Sequence, residues 1–242
     1  YLSPTHLTLA ALVVAALSLA LVAQAGNPFC YVPAAPETTR AYQYAAMSDA
    51  LCFAELHERK VPFERAEVSR RIAKHVQAPI RLTGPVHGVR YLQTYREGMD
   101  PKAPSTIMDC RLALAIDDLS RILSRENVVE VQYMSLYRTG HYKPGVRHPA
   151  GRAIDVATAK KKDGTVFSVH KHFFGRTGAQ TCGKGAAKPR RNHPGAFFWR
   201  RVSCELDNQR VFNLVLTPNY NWGHRDHLHL EVRSGISWYL TQ

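Results

Sequence analysis

Two short segments carry the residue types that can do chemistry in this chain. Arg147-His148-Pro149-Ala150-Gly151-Arg152-Ala153-Ile154-Asp155 sets a His and an Asp seven positions apart, and His224-Arg225-Asp226-His227-Leu228-His229 packs three His and an Asp into six residues. Imidazole and carboxylate are ligands that zinc accepts, and a catalytic zinc takes three protein ligands and leaves a position for water. In an extended strand, residues two apart share a face. His227 and His229 therefore point the same way, one to bind metal and its neighbour to work beside it. His148 and Asp155 are too far apart for one helical turn, but a loop ending in the strand Ala153-Ile154-Asp155-Val156 folds them back onto one ion. A lone HxH in a basic protein is as readily a pair of surface histidines as a site. The two segments together supply the ligand number and types of a hydrolytic zinc site, whose metal brings the pKa of water from 15.7 toward ~7.

The elements that must hold these segments are legible in part. Arg40 to Arg59 carries Tyr44, Met47, Leu51, Ala54 and Leu56 on an Ala-rich background and predicts one amphipathic helix with Cys52 near its buried side. Pro79 to Val86 and Val89 to Leu92 read as short strands broken by Gly and Pro. Met108, Leu112, Ala115, Leu119 and Ile122 recur at helical spacing, which predicts a helix over Ser105 to Arg125 with Ser105 or Thr106 as N-cap and Asp109 in its first turn. Val128 to Tyr137 alternates and is β-branched, so it is a strand; Asp155 onward, the turn Lys160 to Gly164 and Thr165 to Val169 make a hairpin. Phe173 to Pro194 is a Gly-rich, basic loop carrying Cys182, and it leads into a short helix, Phe197 to Leu206, with Cys204. Val211 to Leu216 is a buried strand, Pro218 to Asn221 a turn, and His227 to Val232 the strand that bears the HxH. Helices come first and mostly antiparallel strands follow, an α+β layout of an antiparallel sheet with flanking helices.

The N-terminus is different in kind. Leu7 to Ala25 is almost purely apolar. As a helix it is ~28 Å long, close to the ~30 Å hydrocarbon core of a bilayer. A cleaved signal peptide ending at Ala23-Gln24-Ala25 and a retained anchor both fit. The expectation taken here is the anchor, residues 1–25, followed by a Pro-containing tether, 26–39, and a domain over 40–242. The net charge of +13 draws the chain to polyanions. With no nucleic-acid-binding motif or stacking-aromatic pattern, an acidic wall polymer or anionic lipid is the expected partner and nucleic acid is not. Five cysteines without a CxxC spacing, beside an export signal, predict one or two disulfides. Cys182 should pair with Cys204, because the loop has little apolar content to anchor it, and Cys52 with Cys110, leaving Cys30 in the tether.

At the two histidine segments the chain resembles the bacterial extensin-like C-terminal family, which belongs with the zinc peptidases of the cell wall: murein endopeptidases, D-Ala-D-Ala dipeptidases and carboxypeptidases, and lysostaphin-type enzymes. The resemblance runs from about Cys52 to Val232 and includes Cys52-Phe53-Ala54-Glu55-Leu56, Cys110-Arg111-Leu112-Ala113-Leu114-Ala115, Ala153-Ile154-Asp155 and Leu216-Thr217-Pro218-Asn219-Tyr220-Asn221. It implies Zn2+ on His148, Asp155 and His229. His227, on the face of His229, is then the leading general base and His224 the second; Asp226 orients His227, being shorter than the Glu that related dipeptidases carry there. Arg138, at a strand end before the first ligand, matches an Arg that binds substrate oxygen, and a fixed guanidinium suits developing charge. Two departures stand out: Val146 replaces a Ser two positions before the first ligand, and Tyr137 replaces a Cys, so one family disulfide cannot form.

The expectation is a zinc-dependent peptidoglycan hydrolase held in the bacterial inner membrane by its N-terminal helix, with the domain in the periplasm, cutting a peptide amide in stems or cross-links. The rival is a non-catalytic module with the same fold, binding the wall or serving a membrane protein complex.

Overall fold

The computed structural model describes residues 38–94, 100, 102–140 and 146–242. The apolar run Leu7 to Ala25, Cys30 and all of the tether but Thr38 and Thr39 lie outside them. Among the described residues, no helix is long and apolar enough to cross a membrane.

The described residues open with two helices where the sequence predicts one, α1 (Arg40–Ala46) and α2 (Asp49–Glu58). Ser48 makes the break: its backbone is extended, and its hydroxyl accepts the N–H of Leu51, a capping bond available only at a helix start. The rotation this introduces puts Leu51 in solvent and keeps Cys52 and Leu56 buried. β1 (Phe63–Arg65), the short helix α3 (Arg70–Ala73), β2 (Pro79–Leu82) and β3 (Arg90–Gln93) follow. Next come β4 (Met108–Asp109) and α4 (Cys110–Arg125). Asp109 is the N-cap of α4 and not a first-turn residue, because its carboxylate accepts the N–H of Arg111 while its backbone pairs with β2. Ser105 and Thr106, expected to open the helix, lie instead in a separate 3-10 turn, Pro104–Thr106.

The remainder is β5 (Val128–Ser135), β6 (Ala153–Lys161), β7 (Val166–Ser168), α5 (Val169–His172), α6 (Pro194–Asn208), β8 (Leu214–Leu216), β9 (Leu228–Glu231) and β10 (Leu240–Thr241). A three-stranded sheet runs β1-β2-β4, and a seven-stranded sheet runs β10-β8-β9-β6-β5-β3 with β7 also on β6. The fold is α+β, but the sheet is mixed: β3 lies parallel to β5, and β10 parallel to β8. The first parallel pair has α4 as its crossover, which is how a chain returns to the same sheet in the same direction.

α4 packs on β5 and is flanked by α1, α2 and α6. Its predicted apolar stripe is buried together with Val131, Ile154, Leu230, Phe198 and Trp199. The helix is buried nearly all round, so its charges are paired. Asp117 meets His87 at 2.6 Å and Arg59 at 3.3 Å, and Asp118 meets Arg40 at 2.9 Å and accepts the Tyr44 hydroxyl at 2.5 Å. Cys52–Cys110 joins α2 to the start of α4, and Cys182–Cys204 ties the Gly-rich loop to α6, both as expected. Each closes a loop long enough to stabilise the fold by about 3–4 kcal/mol in the chain-entropy model.

Candidate metal centre

β6 and β9 are antiparallel neighbours with Asp155 directly opposite His229. Directly opposed residues point to the same face of a sheet, so the register alone brings a carboxylate and an imidazole together. Asp155 Oδ1 lies 2.9 Å from His229 Nδ1. His148 arrives from the other side, on the 3-10 turn His148–Ala150, with its Nε2 3.1 Å from Asp155 Oδ2. Two features bend the chain there. Gly151 has a φ of +63°, and a Cβ on it would stand 2.7 Å from the backbone nitrogen of Asp109. Arg152 is buried against Asp109, Nε to Oδ1 at 3.0 Å, and gives a second N–H to Gln77 at 2.8 Å. The N-cap of α4 thereby anchors the turn that carries His148.

The three side chains are buried and offer donor atoms that all lie within 4.8 Å of one another. His148 Nδ1 is 2.6 Å from the carbonyl oxygen of Leu136. A carbonyl only accepts, so Nδ1 carries the proton and Nε2 presents a lone pair. That lone pair faces the carboxylate of Asp155, and Nε2 has no hydrogen-bond partner among the described residues. Two acceptors aimed at each other in a buried site repel unless a cation, a shared proton or a metal ion, lies between them. The donor set fits a zinc-type ion on this observation: two imidazoles and one carboxylate, with the ring of His148 oriented from behind by a backbone carbonyl.

The charges agree. Burial opposes ionisation of Asp155, but its contacts with His148 and His229 hold the carboxyl well below the usual range. Burial likewise disfavours a charged His229; its bonds to Asp155 and Glu231 outweigh this and push it up to about 9. Without metal, then, a proton on His229 supplies the positive charge that a divalent ion would replace.

The structure brings His227 and His224 to the same place. His227 Nε2 is 3.6 Å from Asp155 Oδ1, and its Nδ1 is 2.9 Å from Asp226 Oδ1. The ring of His224 stands 5.2 Å from that of His227 and 5.8 Å from that of His229, and its Nδ1 is 2.8 Å from Asn221 Oδ1. Partial burial, with His227 and His229 nearby, lowers His224 to about 4. Arg138 is exposed beyond the end of β5, two residues after Leu136. It takes no part in the bonds that knit the cluster together.

Two residues outside the expected set belong here. Leu136 contributes only its carbonyl, which no side-chain pattern announces. Glu231 places Oε2 3.4 Å from His229 Nε2. It sits two positions after His229, the spacing that already put His227 on that face, so the same rule points to it.

A family model described as Extensin-like protein C-terminus matches residues 50–240. No curated protein and no solved structure matches the chain.

Proposed function

The chain belongs to the extensin-like protein C-terminus family, and on that premise we propose that it is a zinc-dependent hydrolase of the bacterial cell wall. Its substrate is a peptide amide in the stems or cross-links of peptidoglycan. The observation that supports this reading best is the buried His148, Asp155 and His229 set, with the lone pair of His148 aimed at a carboxylate and two further histidines beside it.

A bound zinc supplies Lewis acidity, polarising the scissile carbonyl and acidifying the attacking water. His227 takes the proton from that water and returns it to the departing amine. Asp226 accepts the Nδ1–H of His227, which leaves Nε2, on the side of Asp155, as the working nitrogen. His224, lowered to about 4, stays neutral at ordinary pH. It cannot compete for that proton, and through its Nε2 lone pair it orients water or substrate. Arg138 offers an exposed guanidinium to a substrate oxygen or carboxylate.

Two disulfides mark a domain that folds outside the reducing cytoplasm. We place it in the periplasm, held at the inner membrane by Leu7 to Ala25, with the net charge of +13 drawing it to the acidic wall polymer. Digestion of purified muropeptides tests the reading. Zinc-loaded protein should release shortened or uncrosslinked stems, seen as new amines by mass spectrometry, and chelated protein should not. Intact muropeptides after incubation with zinc-loaded protein would end the hydrolytic reading.

A further inference from the structure

Glu231 is 1% exposed and takes part in none of the steps above. Its carboxylate is divided between two tasks. Oε2 lies 3.4 Å from Nε2 of His229, and Oε1 accepts the backbone N–H of Arg147 at 2.8 Å. Arg147 immediately precedes His148 and has φ 58° and ψ −160°. A residue with a side chain holds such a conformation, at a cost of order 1–3 kcal/mol, only where its surroundings impose it. One carboxylate therefore reaches the ring of one ligand and the backbone that leads into another.

We propose that Glu231 is the positioning residue of this metal centre. It fixes the tautomer of His229 and pins the Arg147–His148 turn against β9. The chemistry is simple. An ionised carboxylate only accepts hydrogen bonds, so Nε2 of His229 must donate to it. Nδ1, the nitrogen facing Asp155 and the cluster, is then the one that gives up its proton to a cation. A carboxylate behind a ligating imidazole also raises the basicity of the ring. Glutamine at the same place keeps the size and an acceptor for the N–H of Arg147. It turns an NH2 group toward the ring, making Nε2 an acceptor and moving the proton to the nitrogen that the metal needs.

The inference rests on His148, Asp155 and His229 as metal ligands and not on any substrate. Zinc affinity by chelator competition for the wild type and Glu231→Gln, with 15N spectra of the His229 ring in the zinc-loaded wild type, tests it. The expected results are a proton on Nε2 and zinc on Nδ1, and a 10–100-fold loss of affinity in Glu231→Gln. Wild-type affinity in that variant, or zinc on Nε2 in the wild-type spectrum, would overturn it. The spectrum decides by itself if the variant does not fold. Neither readout uses a muropeptide, so a zinc-binding protein that cleaves nothing contradicts the proposed hydrolysis and leaves this inference standing.

Discussion

Asp155 and His229 face each other across β6 and β9, and their side chains meet at 2.9 Å. The pairing belongs to the sheet and not to a loop, so it exists before any metal arrives. It also sets how zinc binding must depend on pH. His229 is pushed up to about 9 in the metal-free protein, chiefly against the effect of burial and by Asp155 and Glu231. Below that value zinc must displace a proton. Apparent affinity should therefore rise roughly tenfold per pH unit from about pH 7 and flatten above the titration of His229. The same group works the opposite way on the metal-free fold. Its stabilising contribution is complete below the unfolded histidine value of about 6.5 and is lost as pH rises through about 9. Isothermal titration and urea melts across this window check both. A zinc affinity that does not change with pH would contradict the assignment of His229.

Replacing His227 with Ala should leave zinc bound, because His227 Nε2 is 3.6 Å from Asp155 and outside the three-residue donor set. Turnover of muropeptides should fall ~10²–10⁴-fold, the usual effect of removing a general base. Asp226→Asn should lower it less, since the ring keeps a polar partner. Unchanged turnover in His227→Ala would remove His227 from the mechanism.

Gly151 carries the turn between His148 and Asp155. Gly151→Ala meets both a left-handed φ and the backbone of Asp109 at 2.7 Å. The conformation alone costs about 1–3 kcal/mol, and the contact adds to it because backbone cannot step aside. Gly164, at φ +89° with open space around its Cβ position, is the control and should show only the conformational cost. Equal urea midpoints for Gly151→Ala and Gly164→Ala would show that the close approach to α4 is not structural.

Peptide mapping without reduction should recover Cys52 linked to Cys110 and Cys182 linked to Cys204. Breaking the second bridge with Cys204→Ser should cost about 3 kcal/mol, because the loop it closes has few apolar side chains of its own. Alkylated Cys182 in the untreated protein would refute the pairing.

The cluster of His148, Asp155 and His229 and its neighbours are legible because each signal is local: an HxH on a strand, a His and an Asp flanking a turn. The Cys182–Cys204 bridge followed from the composition of the loop it anchors, whereas nothing in the composition of its segments singled out Cys52–Cys110. The helix break at Ser48 was not legible, since a capping hydroxyl inside an Ala-rich run looks like any exposed serine until the chain turns there. The start of α4 is hidden for a related reason: Asp109 reads as a first-turn acid, but it caps the helix and pairs with Arg152. The parallel pairing of β3 with β5 is signalled by strand, helix and strand in order, but the later strands, which run antiparallel, dominate the pattern. Glu231 stood in view two places after His229, but a carboxylate on a strand face says nothing of itself until its partners are known. The expected membrane helix lies outside the described residues.

The proposed chemistry requires that His148, Asp155 and His229 hold a metal ion. Metal content of the exported, purified protein after dialysis against zinc and then buffer measures it directly. About one zinc per wild-type chain is expected and none in His229→Ala, whose remaining two ligands hold zinc poorly. A wild-type chain that retains no zinc, or a His229→Ala chain that retains a full equivalent, would contradict it.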